Sequence, residues 1–423
     1  MKIKKILAIA LAVASLISVT ALAVANNTPA FHSAETTETA EKVKTHNFEN
    51  TYYQLKKNNK LNIGYLGGSI TYGVGATDNK DHPWASLVTE WFKAKFPNAT
   101  ITGNNVGIGG TGTVFGQYRI IEDFRLENDA EKPDLIFLEF AINDAYDGTD
   151  EAAAKKNMNT ILTSIYTYAP NADVVILFTT DNGKSEEGGS KHTEGKNIQK
   201  AHQEVADAYG IPTIDIGGML LDDMSALPEA NGEYINVWSK YFPDNVHPND
   251  MGHLKYASYI THYLDCIFSA KTKVANELTA AYVPNNAVEL FGTPLQNPHT
   301  VNLKGQTAPS GFSINNKGVI STKTSGSSFK IEFEGTSLSL WATAKKTGGV
   351  VSIAIDDGKP VKIGLLRDIS EYATIRLVKD GLDDGKHTAV ITTSASDGGS
   401  EVVIDRFCLT GSNLKSTVNI VNN

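Results

Sequence analysis

A serine works as a nucleophile where a sharp turn exposes its hydroxyl and nearby backbone N–H groups can hold a developing oxyanion. The stretch Leu61–Gly75, LNIGYLGGSITYGVG, has the residues for such a turn. Alternating and β-branched apolar residues (Leu61, Ile63, Tyr65, Leu66) predict a buried strand, which runs into Gly67-Gly68 and then Ser69. Two glycines allow a bend that a Cβ would obstruct. By itself the stretch reads as readily as a plain strand-to-helix connector.

Four stretches together say more. GGSIT, with Ser69, resembles the first block of the SGNH (GDSL-type) hydrolases. Asn105-Val-Gly-Ile-Gly-Gly110 resembles their second block, Ala141-Ile-Asn143-Asp144 the third, and Asp244-Asn-Val-His247-Pro248 the fifth. All four stand in the family's order within residues 61–250. The resemblance implies a serine esterase. Ser69 would attack, His247 would act as base and then acid, and Asp244 would fix the imidazole tautomer. The oxyanion would be held by the N–H groups of Ser69 and Gly110 and the side-chain amide of Asn143. Asn105 would brace the glycine loop, and Asp144 has a local hydrogen-bonding role at most. Two positions depart from the common pattern. Gly68 stands where the family usually has Asp, so support for the turn must come from elsewhere. Ala141 replaces the glycine of GxND, which is harmless unless the backbone there has positive φ.

These residues need a scaffold. Apolar spacing predicts helices over Pro83–Phe96, Glu151–Tyr168, Ile198–Tyr209 and Asn249–Phe268, with another ending near Phe124. Strands are predicted over Thr100–Val106, Pro133–Phe140, Ala172–Thr180 and Pro212–Ile216. Runs such as PDLIFLEF suit parallel strands covered on both faces. Strands alternating with helices imply an α/β fold, a three-layer αβα sandwich with a parallel sheet. Ligands in that class sit beyond the carboxyl ends of the strands, where the candidate residues fall. His253 reads as a residue that either faces out of, or packs at, the first turn of the last helix. Trp84, on helical spacing, reads as core. Trp238 and Tyr241, just upstream of Asp244, are candidates for a substrate pocket, and the loop around Asp181–Thr193 for another wall.

Beyond residues 271–285 the periodicity changes. Ser328–Phe333, Leu338–Ala342, Val350–Asp356, Tyr372–Val378, His387–Thr392 and Glu401–Cys408 have strand character, separated by turns such as Asp357-Gly358 and Asp384-Gly385. This predicts a jelly-roll β-sandwich. The pattern is similar to the modules attached to carbohydrate esterases. Trp341, in strand periodicity, reads as buried, which leaves Tyr372 as the weak candidate for a sugar-facing aromatic. The acidic turns Asp356-Asp357 and Asp383-Asp384 offer hard oxygen ligands of the kind calcium takes, though solvated turns explain them as well. The organisation expected is a signal peptide over 1–25, a polar leader over 26–50, the hydrolase domain over 51–270, a linker over 271–285, the sandwich over 286–413 and a tail over 414–423.

The leader has basic Lys2, Lys4 and Lys5, an apolar run over 6–25 and a small-residue end at Ala23-Val24-Ala25. That is the pattern of a secretory signal, with an uncleaved anchor as the alternative, and it predicts a secreted or cell-surface bacterial protein with no membrane insertion after cleavage. The 423-residue chain carries a formal charge of −9, about −12 without the leader lysines, and no basic block, which argues against a nucleic-acid partner. Its two cysteines, Cys266 and Cys408, are far from the motifs and read either as a disulfide or as separate thiols. The expected activity is removal of O-acetyl groups from a polysaccharide or oligosaccharide, with no metal or other cofactor required. The alternatives are a general short-chain esterase or thioesterase, and a glycan-binding surface protein.

Overall fold

A computed structural model of the chain describes residues 48–182, 191–368, 371–413 and 417–421. The expected signal peptide, nearly all of the polar leader and most of the 181–193 loop lie outside the described residues. The chain forms an α/β unit with a parallel sheet and a second unit built on an antiparallel β-sandwich.

In the first unit, β1 (Lys60–Gly67), β2 (Thr100–Asn105), β3 (Leu135–Glu139), β4 (Asp173–Leu177) and β5 (Thr213–Ile214) form a sheet of order β2-β1-β3-β4-β5. Every pair is parallel. The five residues of β3 are at most 1% exposed, as expected of a central strand covered on both faces. On one face Tyr65 and Phe137 stack at 5.4 Å, and Trp84 meets both rings edge-on. Helices Trp84–Lys95 and Asp250–Ala270 cover that face through Val88, Phe92, Tyr256, Ile260 and Leu264. Trp84 is thus core, as its spacing predicts. Asn249 caps the last helix, its side chain accepting from Met251 N and Gly252 N, which fixes where the chain leaves the His247 loop.

The second unit contains β6 (His299–Val301), β7 (Ser313–Ile314), β8 (Ile320–Thr322), β9 (Ser328–Gly335), β10 (Ser337–Ala344), β11 (Val350–Ile355), β12 (Val361–Gly364), β13 (Tyr372–Lys379), β14 (Gly385–Ser394), β15 (Val402–Thr410) and β16 (Val418–Val421). One sheet runs β13-β10-β15-β8-β7, with β6 also on β15, and the other β12-β11-β14-β9-β16. Alternation is strict in β9, where Phe329, Ile331 and Phe333 point into a core shared with Leu340, Ile353 and Ile391. The six strands read from the sequence are all present, and the short β6, β7, β8, β12 and β16 are additions.

Two stretches earlier in the chain, Gly110–Asp129 and Lys156–Tyr168, belong to this second compact unit. Phe115 meets Trp341 edge-on at 4.9 Å, Tyr118 Oη lies 3.2 Å from Ser339 Oγ, and Glu122 accepts from Thr300 Oγ1 at 2.7 Å. Trp341 is buried beneath the helix Thr113–Asp123 that carries these residues, and Arg406 lies over its ring. Neither cysteine is in a disulfide: Cys266 is an exposed thiol and Cys408 a buried one. Asp356, in one of the two acidic turns, is engaged by His387 at 2.6 Å and by Thr388 N at 2.9 Å. Among the described residues no three His, Cys, Asp or Glu side chains are grouped to hold a metal. No described helix is long and apolar enough to cross a membrane.

Candidate active site

Ser69 follows the carboxyl end of β1 and opens the four-residue helix Ser69–Tyr72. Gly68, the residue before that helix, faces the Asn143 side chain: a Cβ there would sit 1.9 Å from Asn143 Oδ1, so a larger residue would displace that amide. The Asn143 amide thus takes the space beside the turn. Asn143 lies in helix Ala141–Tyr146, immediately after β3. Ala141 is not among the described residues with positive φ, so its methyl group adds no backbone strain.

A hydrogen-bond chain starts at the serine. Ser69 Oγ is 2.9 Å from His247 Nε2, and His247 Nδ1 is 2.7 Å from Asp244 Oδ2. With a carboxylate facing Nδ1, the proton of a neutral imidazole sits there, which leaves Nε2 to accept from the serine. Asp244 Oδ1 accepts from the backbone N–H of His247 at 2.7 Å and of Val246 at 2.8 Å, so one carboxylate both closes the loop and orients the ring. Partial burial pushes the Asp244 carboxyl up, but the His247 and Val246 N–H groups and the imidazole outweigh it and hold it below the usual range. The loop is secured by the segment after β4 as well, through Asn182 N to Asn245 O at 3.0 Å and Asn182 Nδ2 to Asn245 Oδ1 at 2.7 Å.

The second glycine block is braced by Asn105, which donates to Thr71 O at 2.7 Å and accepts from Gly107 N at 2.9 Å. Gly109 reaches the serine: a Cβ built on it would be 3.7 Å from Ser69 Cβ. Gly110 has φ +70°, and a Cβ there would lie 3.5 Å from the Tyr372 ring. The partner of Asp144 is new: both it and His202 are fully buried, with His202 Nε2 3.1 Å from Asp144 Oδ2. Nothing in the helix around His202 marks it in the sequence, because the pair is 58 residues apart.

Trp238 and Tyr241, the candidates for a substrate pocket, are buried. They are 7% and 6% exposed and belong to the core. Trp238 stacks on Phe242 at 3.9 Å and donates Nε1–H to Asp244 O at 2.6 Å, so it holds the acid-bearing loop from below. An indole N–H needs a partner when buried, and the loop carbonyl supplies it. His253 is buried too, its Nε2 3.2 Å from Val74 O and its Nδ1 facing Trp84 N. Burial lowers its pKa to about 4. It therefore packs between helices and leaves His247 as the imidazole at the serine.

A serine, an oriented imidazole and a carboxylate meet at the carboxyl end of a parallel sheet, the arrangement of a serine hydrolase. Residues 65–255 match the GDSL-like Lipase/Acylhydrolase family, and residues 312–416 match the Carbohydrate esterase 2 N-terminal family. The fold is shared with a two-domain esterase (CEX) active on acetylated mannans, co-crystallized with mannopentaose. The TM-score is 0.66 at 21% identity, over 87% of this chain and 95% of that one. A second structure of that esterase gives 0.67 at 20%, over 88% and 100%. The chain has no sequence match among curated proteins.

Proposed function

We propose that the protein is a secreted bacterial serine esterase that removes O-acetyl groups from a polysaccharide, acetylated mannan being the first substrate to test. The observation that carries the reading is the chain Ser69 Oγ–His247 Nε2 and His247 Nδ1–Asp244 Oδ2. The CEX likeness and the carbohydrate-esterase match of the second unit support the substrate class. The apolar leader supports secretion.

In this reading Ser69 Oγ attacks the acetyl carbonyl as His247 Nε2 takes its proton. Asp244 stabilises the imidazolium. The oxyanion is held by the Ser69 N–H and the Asn143 amide, with the Gly110 N–H assigned from its place in the glycine block. One such donor is worth about 3 kcal/mol in the transition state. Collapse returns the proton from His247 to the sugar hydroxyl and leaves acetyl on Ser69. Water, deprotonated by His247, then releases acetate and restores the serine. This route calls on no metal or other cofactor.

The test is acetate release from acetylated mannan, xylan, pectin and chitin oligomers, alongside butyryl and longer aryl esters, by wild type and Ser69→Ala. Selective, Ser69-dependent deacetylation of mannan is the expected result. Faster turnover of longer acyl esters without glycan deacetylation would replace this reading with a general esterase.

A further inference from the structure

Glu139, the last residue of β3, is 1% exposed and sits directly under the Ser69 turn. Its Oε2 accepts from Thr71 Oγ1 at 2.8 Å and its Oε1 from Thr179 Oγ1 at 2.8 Å. Thr71 lies two residues after Ser69 in the same short helix, and Thr179 follows β4. One carboxylate therefore ties together the ends of β1, β3 and β4, three neighbouring strands. The packing is close: a Cβ on Gly67 would lie 2.2 Å from Thr71 Oγ1 and 2.5 Å from Glu139 O.

A buried carboxylate without partners is costly, and this one is met by two hydroxyl donors. Burial still raises its pKa, against the pull of those hydrogen bonds. Such an arrangement is expensive to keep for packing alone, since an apolar side chain would fill the space under β3 without needing donors. What the carboxylate adds is direction. It fixes the Thr71 side chain two residues after Ser69, and thereby the turn that carries the serine. Gly68 has no side chain with which to do this.

We propose that Glu139 is a positioning residue for the nucleophile. Through the Thr71 hydroxyl it holds the Ser69–Tyr72 turn so that Ser69 Oγ meets His247 and the Ser69 N–H faces the oxyanion. The inference rests on the reading of Ser69 as the nucleophile.

The test is steady-state kinetics on an aryl acetate for Glu139→Gln, Thr71→Val and Thr71→Ser. Rates are counted per active site by titration with a serine-reactive phosphonate, well below each variant's unfolding temperature. Glu139→Gln keeps the shape but has one acceptor oxygen and cannot accept from both the Thr71 and Thr179 hydroxyls. The expected result is a fall in kcat of about 10- to 100-fold, with KM within about threefold of wild type. Thr71→Val is expected to lose kcat about tenfold and Thr71→Ser, which restores the hydroxyl, to recover it. A merely structural role would lower Tm and leave kcat per folded site unchanged. Folded Glu139→Gln with wild-type kcat overturns the inference. If that variant does not fold, equal kcat for Thr71→Val and Thr71→Ser overturns it. Ser69→Ala in the same series separates the two readings: an active Ser69→Ala enzyme defeats the nucleophile assignment, whereas an inactive one beside an unimpaired Glu139→Gln defeats only this inference.

Discussion

Asp244 performs two jobs with two oxygens, one closing its own loop through backbone N–H groups and one facing His247 Nδ1. Asp244→Asn keeps an oxygen for the loop but presents an amide to the ring, which favours the wrong tautomer. It should therefore fold normally and lose kcat on the order of 1,000-fold, checked by aryl-acetate kinetics with Tm measured in parallel. This pair was legible in the sequence because its members are three residues apart and precede a proline. Ser69 and Asn143 were legible as members of spaced blocks. Glu139 and His202 were not. Glu139 hides in an apolar strand, where a lone acid looks like a strand end, and its partners Thr71 and Thr179 are 68 and 40 residues away.

The elements around the site are held by buried groups, among them one read from the sequence as a pocket candidate. Trp238 sits in the short 3-10 helix Tyr234–Lys240, which has too few turns for periodicity to reveal its inner face. Its N–H to Asp244 O makes it a brace. Trp238→Phe should lower kcat several-fold through a looser loop, measured against Tm. His253, in the last helix, gives a pH signature. Its folded pKa of about 4 lies below the ordinary 6.5 of an unfolded chain, so the unfolded state binds the proton first as pH falls. Stability is thus full above about pH 6.5 and declines by up to about 3 kcal/mol as pH approaches 4. Thermal unfolding from pH 7 to 4.5 should show a shallower decline for His253→Gln than for wild type, and equal slopes would contradict this account. The long helices and the strands β1 to β4 were legible because their apolar spacing is unambiguous.

At the scale of the whole molecule, the composition shift after residue 270 announced the β-sandwich, and six of its strands could be read from alternation. The two- to four-residue strands could not, since such lengths carry no period. Nor could the sequence show that Gly110–Asp129 packs with strands some 200 residues later. That depends on Phe115 and Tyr118 finding Trp341 and Ser339, contacts with no local signal. Removing the largest of these should be felt across the second unit: Trp341→Ala is expected to cost about 3–5 kcal/mol, read as a loss in the denaturant midpoint.

The most direct measurement is rapid acid quenching during turnover of an acetylated mannan oligosaccharide, followed by peptide mass mapping of the enzyme. The account predicts an acetyl group on the peptide containing Ser69, absent from Ser69→Ala enzyme, which releases no acetate. Acetate release by Ser69→Ala at a near wild-type rate, with no acetyl on Ser69 in the native enzyme, would contradict it.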